Sequence, residues 1–71
     1  MVLTQNNEPI NTIIIGKGAA GKLLYKELRK KSNINIIGYV DDFKKGVLGS
    51  TKELISIIDT YKIALVYIAM P

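Results

Sequence analysis

The 71-residue sequence contains no Cys, no His and no Trp. Without Cys there is no disulfide framework and no thiolate nucleophile, and the loss of His with it removes zinc-finger ligand sets and imidazole catalysis. Triads built on either residue are therefore impossible within the chain, and general acid–base work falls to carboxylates, Lys or Tyr. Aromatics amount to four Tyr and one Phe. There is no Arg/aromatic interleaving of the kind that stacks on and reads bases, which speaks against a nucleic-acid partner. No apolar run approaches the roughly 18 residues of a membrane span, and residues 1–11 lack the charged-then-apolar order of a signal peptide. The expectation is a soluble, cytoplasmic chain that meets a membrane only through a parent protein.

What is present fits one small domain: 48% of the residues are hydrophobic and 23% charged. A chain of this size buries only about 60% of the surface its unfolded form exposes. Ten basic residues, nine of them Lys, face six acids, for a net charge of +4. Together with twelve Ile, this Lys-rich mixture is what AT-rich coding DNA produces, and it marks no binding patch.

Residues 1–11 are polar, irregular and broken by Pro9, and read as a flexible tail; residues 12–71 read as the folded domain. Thr12-Ile13-Ile14-Ile15 is a β-branched run without alternation, the pattern of a strand covered on both faces, and it stops at Gly16. Residues 19–31 predict a helix, with Ala20, Leu23, Leu24 and Leu28 as its apolar stripe and Lys22, Lys26, Arg29 and Lys30 on a separate basic face. A second strand spans residues 34–40 and ends at Asp41-Asp42. Val47-Leu48 suggests a brief edge strand before Gly49. Ser50-Thr51-Lys52-Glu53 fits a capping box that opens a second helix, in which Leu54, Ile55, Ile57, Ile58 and Tyr61 recur at helical spacing. Residues 64–69 give a last apolar strand that closes at Pro71. Strands alternating with amphipathic helices imply an α/β fold with right-handed crossovers and a parallel sheet, in the order 3-2-1-4.

One motif carries chemistry. Gly16-Lys17-Gly18-Ala19-Ala20-Gly21 is a G-x-G-x-x-G between a predicted strand and a predicted helix. The first glycine permits the tight turn, the second lets a pyrophosphate approach the backbone, and the third lets the helix pack close to the sheet. The free amides of the first helical turn, at Ala19 and Ala20, and the partial positive charge of that helix end favour an anion, with Lys17 as a further candidate contact. Asp41, twenty residues beyond Gly21, stands where a carboxylate can accept both hydroxyls of an adenosine ribose, with Asp42 beside it. Lys44 and Lys45 read as surface charges. A Tyr-x-x-x-Lys proton-transfer pair is absent: Arg29, Phe43, Leu65 and Pro71 stand in the fourth position after the four tyrosines. No catalytic residue and no metal-ligand set is identified.

Four segments together carry a resemblance. They are Ile13-Ile14-Ile15-Gly16-Lys17-Gly18-Ala19-Ala20-Gly21, Ile36-Ile37-Gly38-Tyr39-Val40-Asp41-Asp42, Gly46-Val47-Leu48-Gly49-Ser50 and Val66-Tyr67-Ile68-Ala69-Met70-Pro71. Over residues 12–71, they resemble a Rossmann-like, CoA-binding-like nucleotide-binding domain of bacterial polysaccharide biosynthesis. That domain precedes the catalytic part of nucleoside-diphosphate-sugar epimerases and 4,6-dehydratases. It is similar to the cytosolic domain of polyprenyl-phosphate sugar-phosphate transferases and, less closely, to CoA-binding and NADH-sensing regulatory domains. The family's longer connection after Asp-Asp is here shortened to residues 43–46. The resemblance implies a three-layer α/β/α domain in truncated form, NAD as the bound nucleotide with CoA or another adenine nucleotide as alternatives, and Ala69 and Met70 flanking it. It implies a parent enzyme of capsule or lipopolysaccharide synthesis, reached through a dinucleotide or nucleotide-sugar, with this chain not catalytic alone. The last strand's open edge adds homo-oligomerisation to the expected partners.

Overall fold

Ile13 and Ile14 have no solvent exposure in the computed structural model, which describes residues 8–70. They lie in the central strand of an α/β fold whose elements run β1 (Ile10–Ile15), α1 (Ala19–Leu28), β2 (Ile34–Val40), a 3-10 turn (Thr51–Glu53), α2 (Leu54–Thr60) and β3 (Leu65–Ile68). The three strands form one parallel sheet in the order β2-β1-β3. With α1 packed over Ile14 and α2 over Ile13 and Ile15, both faces of β1 are covered, which is why an unbroken β-branched run without polar alternation occupies it.

β1 begins at Ile10, two residues before the expected start, because Ile10 pairs with Ile34 and Asn11 with Asn35. Asn11 also ties the strand to the end of α2, donating from Nδ2 to the carbonyls of Tyr61 at 3.1 Å and Lys62 at 3.3 Å. Residues 1–7 of the expected tail, and Pro71, lie outside the described residues.

Successive residues of β1 serve opposite faces. Ile13 and Ile15 form a core with Val40 and with Ile57 of α2, against which Ile37, Leu48, Leu54, Ile63 and Val66 pack. Ile14 lies under α1, where its Cγ2 is 3.7 Å from the position a Cβ on Gly21 would take. That contact sets the rotation of α1. Gly21 and Leu28 are buried and Leu24 and Tyr25 half-buried, whereas Leu23 is 60% exposed and Ala20 is exposed. The inward stripe is thus 21, 24, 25 and 28, not the expected one that includes Ala20 and Leu23, because the helix must bring its glycine against the strand. α1 also ends at Leu28, three residues early. The chain then turns so that β2 can start opposite Ile10, with the amides of Lys30 and Lys31 bonded three residues back to Glu27 and Leu28.

The pairing of β1 with β2 slips between Thr12 and Ile13, so that Thr12 faces Ile36 but Ile13 faces Gly38. Ile37 is the extra residue of this bulge, and it joins the α2-side core. Gly38 has Leu48 over it; a Cβ there would stand 3.0 Å from Leu48 Cγ. The expected edge strand at Val47-Leu48 is not a strand. It reduces to a single parallel bridge between Val40 and Gly49, supported by the Leu48 amide on the Tyr39 carbonyl and the Asp41 amide on the Gly49 carbonyl. The residues available between Asp42 and Ser50 are too few for a turn, a strand and a helix cap together.

The capping box over Ser50 and Glu53 forms, with the Ser50 amide donating to Glu53 Oε1 at 2.9 Å. α2 then buries Ile57 and leaves Ile55 84% exposed. Its far end closes with Ile63 donating to the Ile58 carbonyl and Lys62 to that of Asp59, while Lys62 takes a left-handed φ of 54°; this is the Schellman arrangement that stops a helix. β3 is shorter than the expected 64–69 span, but Ala64 and Ala69 continue its bonding to β1 through the carbonyls of Asn11 and Ile15, each at 2.8 Å.

Candidate functional site

Gly16, Asp41 and Ala69 each follow the carboxyl end of a strand, and a parallel sheet brings those ends to one edge. β1 is followed in space by β2 on one side and β3 on the other, so the chain leaves it in two directions and opens a crevice there. A cleft of about 280 Å³ occupies this place, lined by Gly16, Gly18, Asp41, Asp42, Phe43, Lys44, Thr51, Ala69 and Met70.

The three motif glycines have different reasons to be glycine. Gly16 has φ +107°, and a Cβ there would stand 2.8 Å from the Ala69 carbonyl oxygen and 2.9 Å from Met70 Cγ. A side chain would both strain the turn and push away the end of β3. At Gly21 a Cβ would overlap the Gly16 carbonyl oxygen, so this residue lets α1 close on the loop. Gly18 is under neither constraint. Its φ is −78° and a Cβ would meet nothing within 4 Å, so the protein itself has room for a side chain beside the cleft. Gly18 is also the N-cap of α1, which carries no side-chain cap and no acidic residue in its first turn. The positive end of that helix dipole is thus left without a side-chain acceptor or a neutralising carboxylate in its first turn.

The two carboxylates at the end of β2 have separate tasks. Asp41 Oδ2 accepts from the Lys17 amide at 2.7 Å, and Oδ1 accepts from the amides of Phe43 at 2.8 Å and Lys44 at 3.1 Å. The Lys17 amide above all, with the Phe43 amide next, holds the Asp41 carboxyl below its ordinary value, since bonds to the ionised form favour it. Asp42 Oδ1 instead accepts from the Thr51 amide at 2.7 Å, and the Thr51 hydroxyl lies 3.0 Å from both of its oxygens. It caps the 3-10 turn that leads into α2. One acid thus fastens the glycine loop and the turn after β2, and the other fastens the start of the second helix.

Lys17 turns away from the cleft. Its Nζ donates to the carbonyls of Lys45 at 2.6 Å and Gly46 at 3.3 Å and lies 5.7 Å from the centre of the Tyr39 ring. Tyr39 stacks on Tyr25 with centroids 5.6 Å apart and planes 21° from parallel; burial, then the neighbouring Tyr25, raises its phenol above the ordinary value.

Of the residues singled out from the sequence, Gly16, Gly18, Asp41, Asp42, Ala69 and Met70 come together around the cleft. Lys17 is tied back to the 45–46 carbonyls, Gly21 is buried beneath the loop, and Ala19 and Ala20 lie exposed in the first turn of α1 without lining the cleft. Phe43 and Thr51 line it without having been singled out, and Lys44, expected to be a surface charge only, lines it as well. For Phe43 and Lys44 a signal was present: an Asp followed by a short polar segment forms an Asx turn, which places the next two or three residues over the carboxylate. Thr51 had no such signal, because its link to Asp42 spans nine residues. Among the described residues no helix is long and apolar enough to cross a membrane. No family model matches the sequence, and neither curated proteins nor solved structures give a match to it.

Proposed function

We propose that the chain is a nucleotide-binding module of the NAD type, which holds an adenine nucleotide in the cleft with its phosphates at Gly18 and the amino end of α1. The observation that carries this reading is Gly18. The fold gives reasons for glycine at positions 16 and 21 and none at 18, where the space a side chain would fill lies beside the cleft. A pyrophosphate approaching the backbone needs that space. Phe43 and Met70 supply apolar surface for the base, and the cleft volume of about 280 Å³, near the lower end of the roughly 300–1,000 Å³ usual for small-molecule sites, suits one half of a dinucleotide.

The finer architecture belongs to the same reading. The bridge to Gly49 lies at the outer edge of β2, where a 3-2-1-4 order would have its third strand, and the contacts of Ile14 with α1 and of Ile13 and Ile15 with α2 support helices on opposite faces. With no proton-transfer pair beside the cleft, the module binds without turning over. Through the resemblance stated above, its parent is a nucleoside-diphosphate-sugar epimerase or dehydratase of bacterial polysaccharide synthesis, whose remainder supplies the chemistry at the cytoplasmic side.

Titration of the chain with NAD, NADP, CoA and UDP-sugars, followed by backbone amide shifts, tests the proposal. An adenine nucleotide should perturb residues 16–23 and the Asp41 turn first, and Gly18→Val should abolish the response while the spectrum stays folded. Shifts confined to the Lys22, Lys26, Arg29 and Lys30 face, or unchanged affinity in folded Gly18→Val, would reject it.

A further inference from the structure

An ionised carboxylate offers about four lone-pair positions. Asp41 has three of its own occupied, by the amides of Lys17, Phe43 and Lys44. All three donors are backbone groups held by the glycine loop and by the turn itself, so none can swing aside as a side chain would. Asp42 is engaged by the amide and the hydroxyl of Thr51, whose hydroxyl hydrogen goes to that carboxylate. Both carboxylates lining the cleft are thus already tied to the protein's own groups. Its other lining groups are apolar or cationic: Phe43, Ala69, Met70 and the Lys44 ammonium, with open space at Gly18. Lys44 lines the cleft close enough to Asp41 to favour its ionised form, and it brings a positive charge to where an anion would sit.

We infer that the cleft reads the base and the phosphates of its nucleotide and leaves the sugar hydroxyls unread, an inference that rests on the nucleotide-binding reading above. A ribose hydroxyl brought to Asp41 finds one position left, on Oδ2, of a carboxylate whose charge three backbone amides already share, so it brings little net gain. This reverses the role that the spacing from Gly21 assigns to Asp41. Its carboxylate is a positioning group that holds the Lys17 amide and the Phe43–Lys44 peptide at the cleft rim.

The test compares ADP with 2′,3′-dideoxy-ADP on the intact chain, with dissociation constants taken from amide-shift titrations. The two should bind within about threefold of each other, whereas a hydroxyl bonded to a free charged acceptor gives a preference on the order of ten- to a hundredfold. Phe43→Ala, a change at a residue 91% exposed and so harmless to the core, should weaken both ligands equally and at least fivefold, an order-of-magnitude figure for one lost stacking contact. A dideoxy analogue weaker by about tenfold or more overturns the inference and leaves the nucleotide-binding reading standing. Undiminished binding by Phe43→Ala overturns the part assigned to the base. Failure of both ligands to bind overturns the nucleotide reading itself, and this inference with it.

Discussion

The backbone amide of Lys17 donates to Asp41 Oδ2 at 2.7 Å, and the same lysine's ammonium reaches back to the Lys45 carbonyl at 2.6 Å. One residue of the glycine loop is thereby fastened at both ends to the segment that follows β2. The cleft floor and its rim form a single hydrogen-bonded unit.

That bond gives the fold an acid sensitivity with a defined sign. The Asp41 carboxyl is held below its ordinary value of 3.8 by the Lys17 and Phe43 amides, so the unfolded chain binds the proton first as pH falls. The associated stability is complete above 3.8 and is lost as pH drops through the lowered folded-state value. Thermal melts from neutral pH downward should show this loss, and Asp41→Asn should be less stable at neutral pH and show a flatter acid limb. An Asp41→Asn protein with wild-type melting at every pH would remove Asp41 as the clamp.

The glycines should separate by cause. Gly16→Ala and Gly21→Ala should each cost roughly 1–3 kcal/mol or more, as overpacking against backbone does, because their Cβ atoms would meet the Ala69 and Gly16 carbonyls. Gly18→Ala should stay within about 0.5 kcal/mol of the parent, as a change at an open position does. Denaturant unfolding reads all three, and a large loss at position 18 would mean that the loop packs differently.

Asp42 should matter more to α2 than Ser50 does. Its carboxylate holds the Thr51 amide at 2.7 Å, while the Ser50 hydroxyl sits 3.3 Å from Glu53 Oε1. Within the range of about 0.5–2 kcal/mol for lost helix caps, Asp42→Ala should fall at the upper end and Ser50→Ala at the lower. Equal losses on melting would count against this order.

The outer edge of β3 should mediate self-association. The opposite edge of the sheet is partly closed by the Val40–Gly49 bridge, but among the described residues no strand pairs beyond Leu65–Ile68. The edge carries no charge, proline or bulge to discourage pairing. Sedimentation should show mass rising with concentration, and Ile68→Lys, at a position 73% exposed, should shift the profile toward monomer. A wild-type chain that stays monomeric at high concentration would refute the prediction.

Much of this arrangement was legible because local signals agreed. The β-branched run at residues 12–15, the glycine motif and the capping box each name an element and one of its ends without long-range information. The rest depended on contacts between distant residues. The rotation of α1 follows from Gly21 meeting the Gly16 carbonyl, which hydrophobic spacing cannot see when Ala20 and Leu23 also look apolar. The bulge at Ile37 and the packing of Leu48 over Gly38 likewise involve residues far apart in the chain. For the site, the positions of Gly16, Gly18, Asp41 and Asp42 could be read from spacing, but the partners of the two carboxylates could not. Spacing says where an acceptor stands, and only the turn geometry says which donors have already filled it.

Placing β1, the first of the described strands, at the centre of the sheet also fixes an order of events during synthesis. β1 leaves the ribosome before either neighbour exists. Its pairing with β2 joins Ile10 to Ile34, whereas its pairing with β3 joins Thr12 to Leu65, roughly twice as far along the chain. Closing the longer loop costs about 0.6 kcal/mol more in chain entropy, so the β1-α1-β2 unit can assemble first while one side of the Ile13-Ile14-Ile15 run still waits for its partner. An uncharged, β-branched stretch with an open edge is what chains pair with one another when they aggregate. The nascent protein is therefore most vulnerable between the completion of β2 and the arrival of residues 65–68, a window set by the topology and closed when β3 pairs with β1.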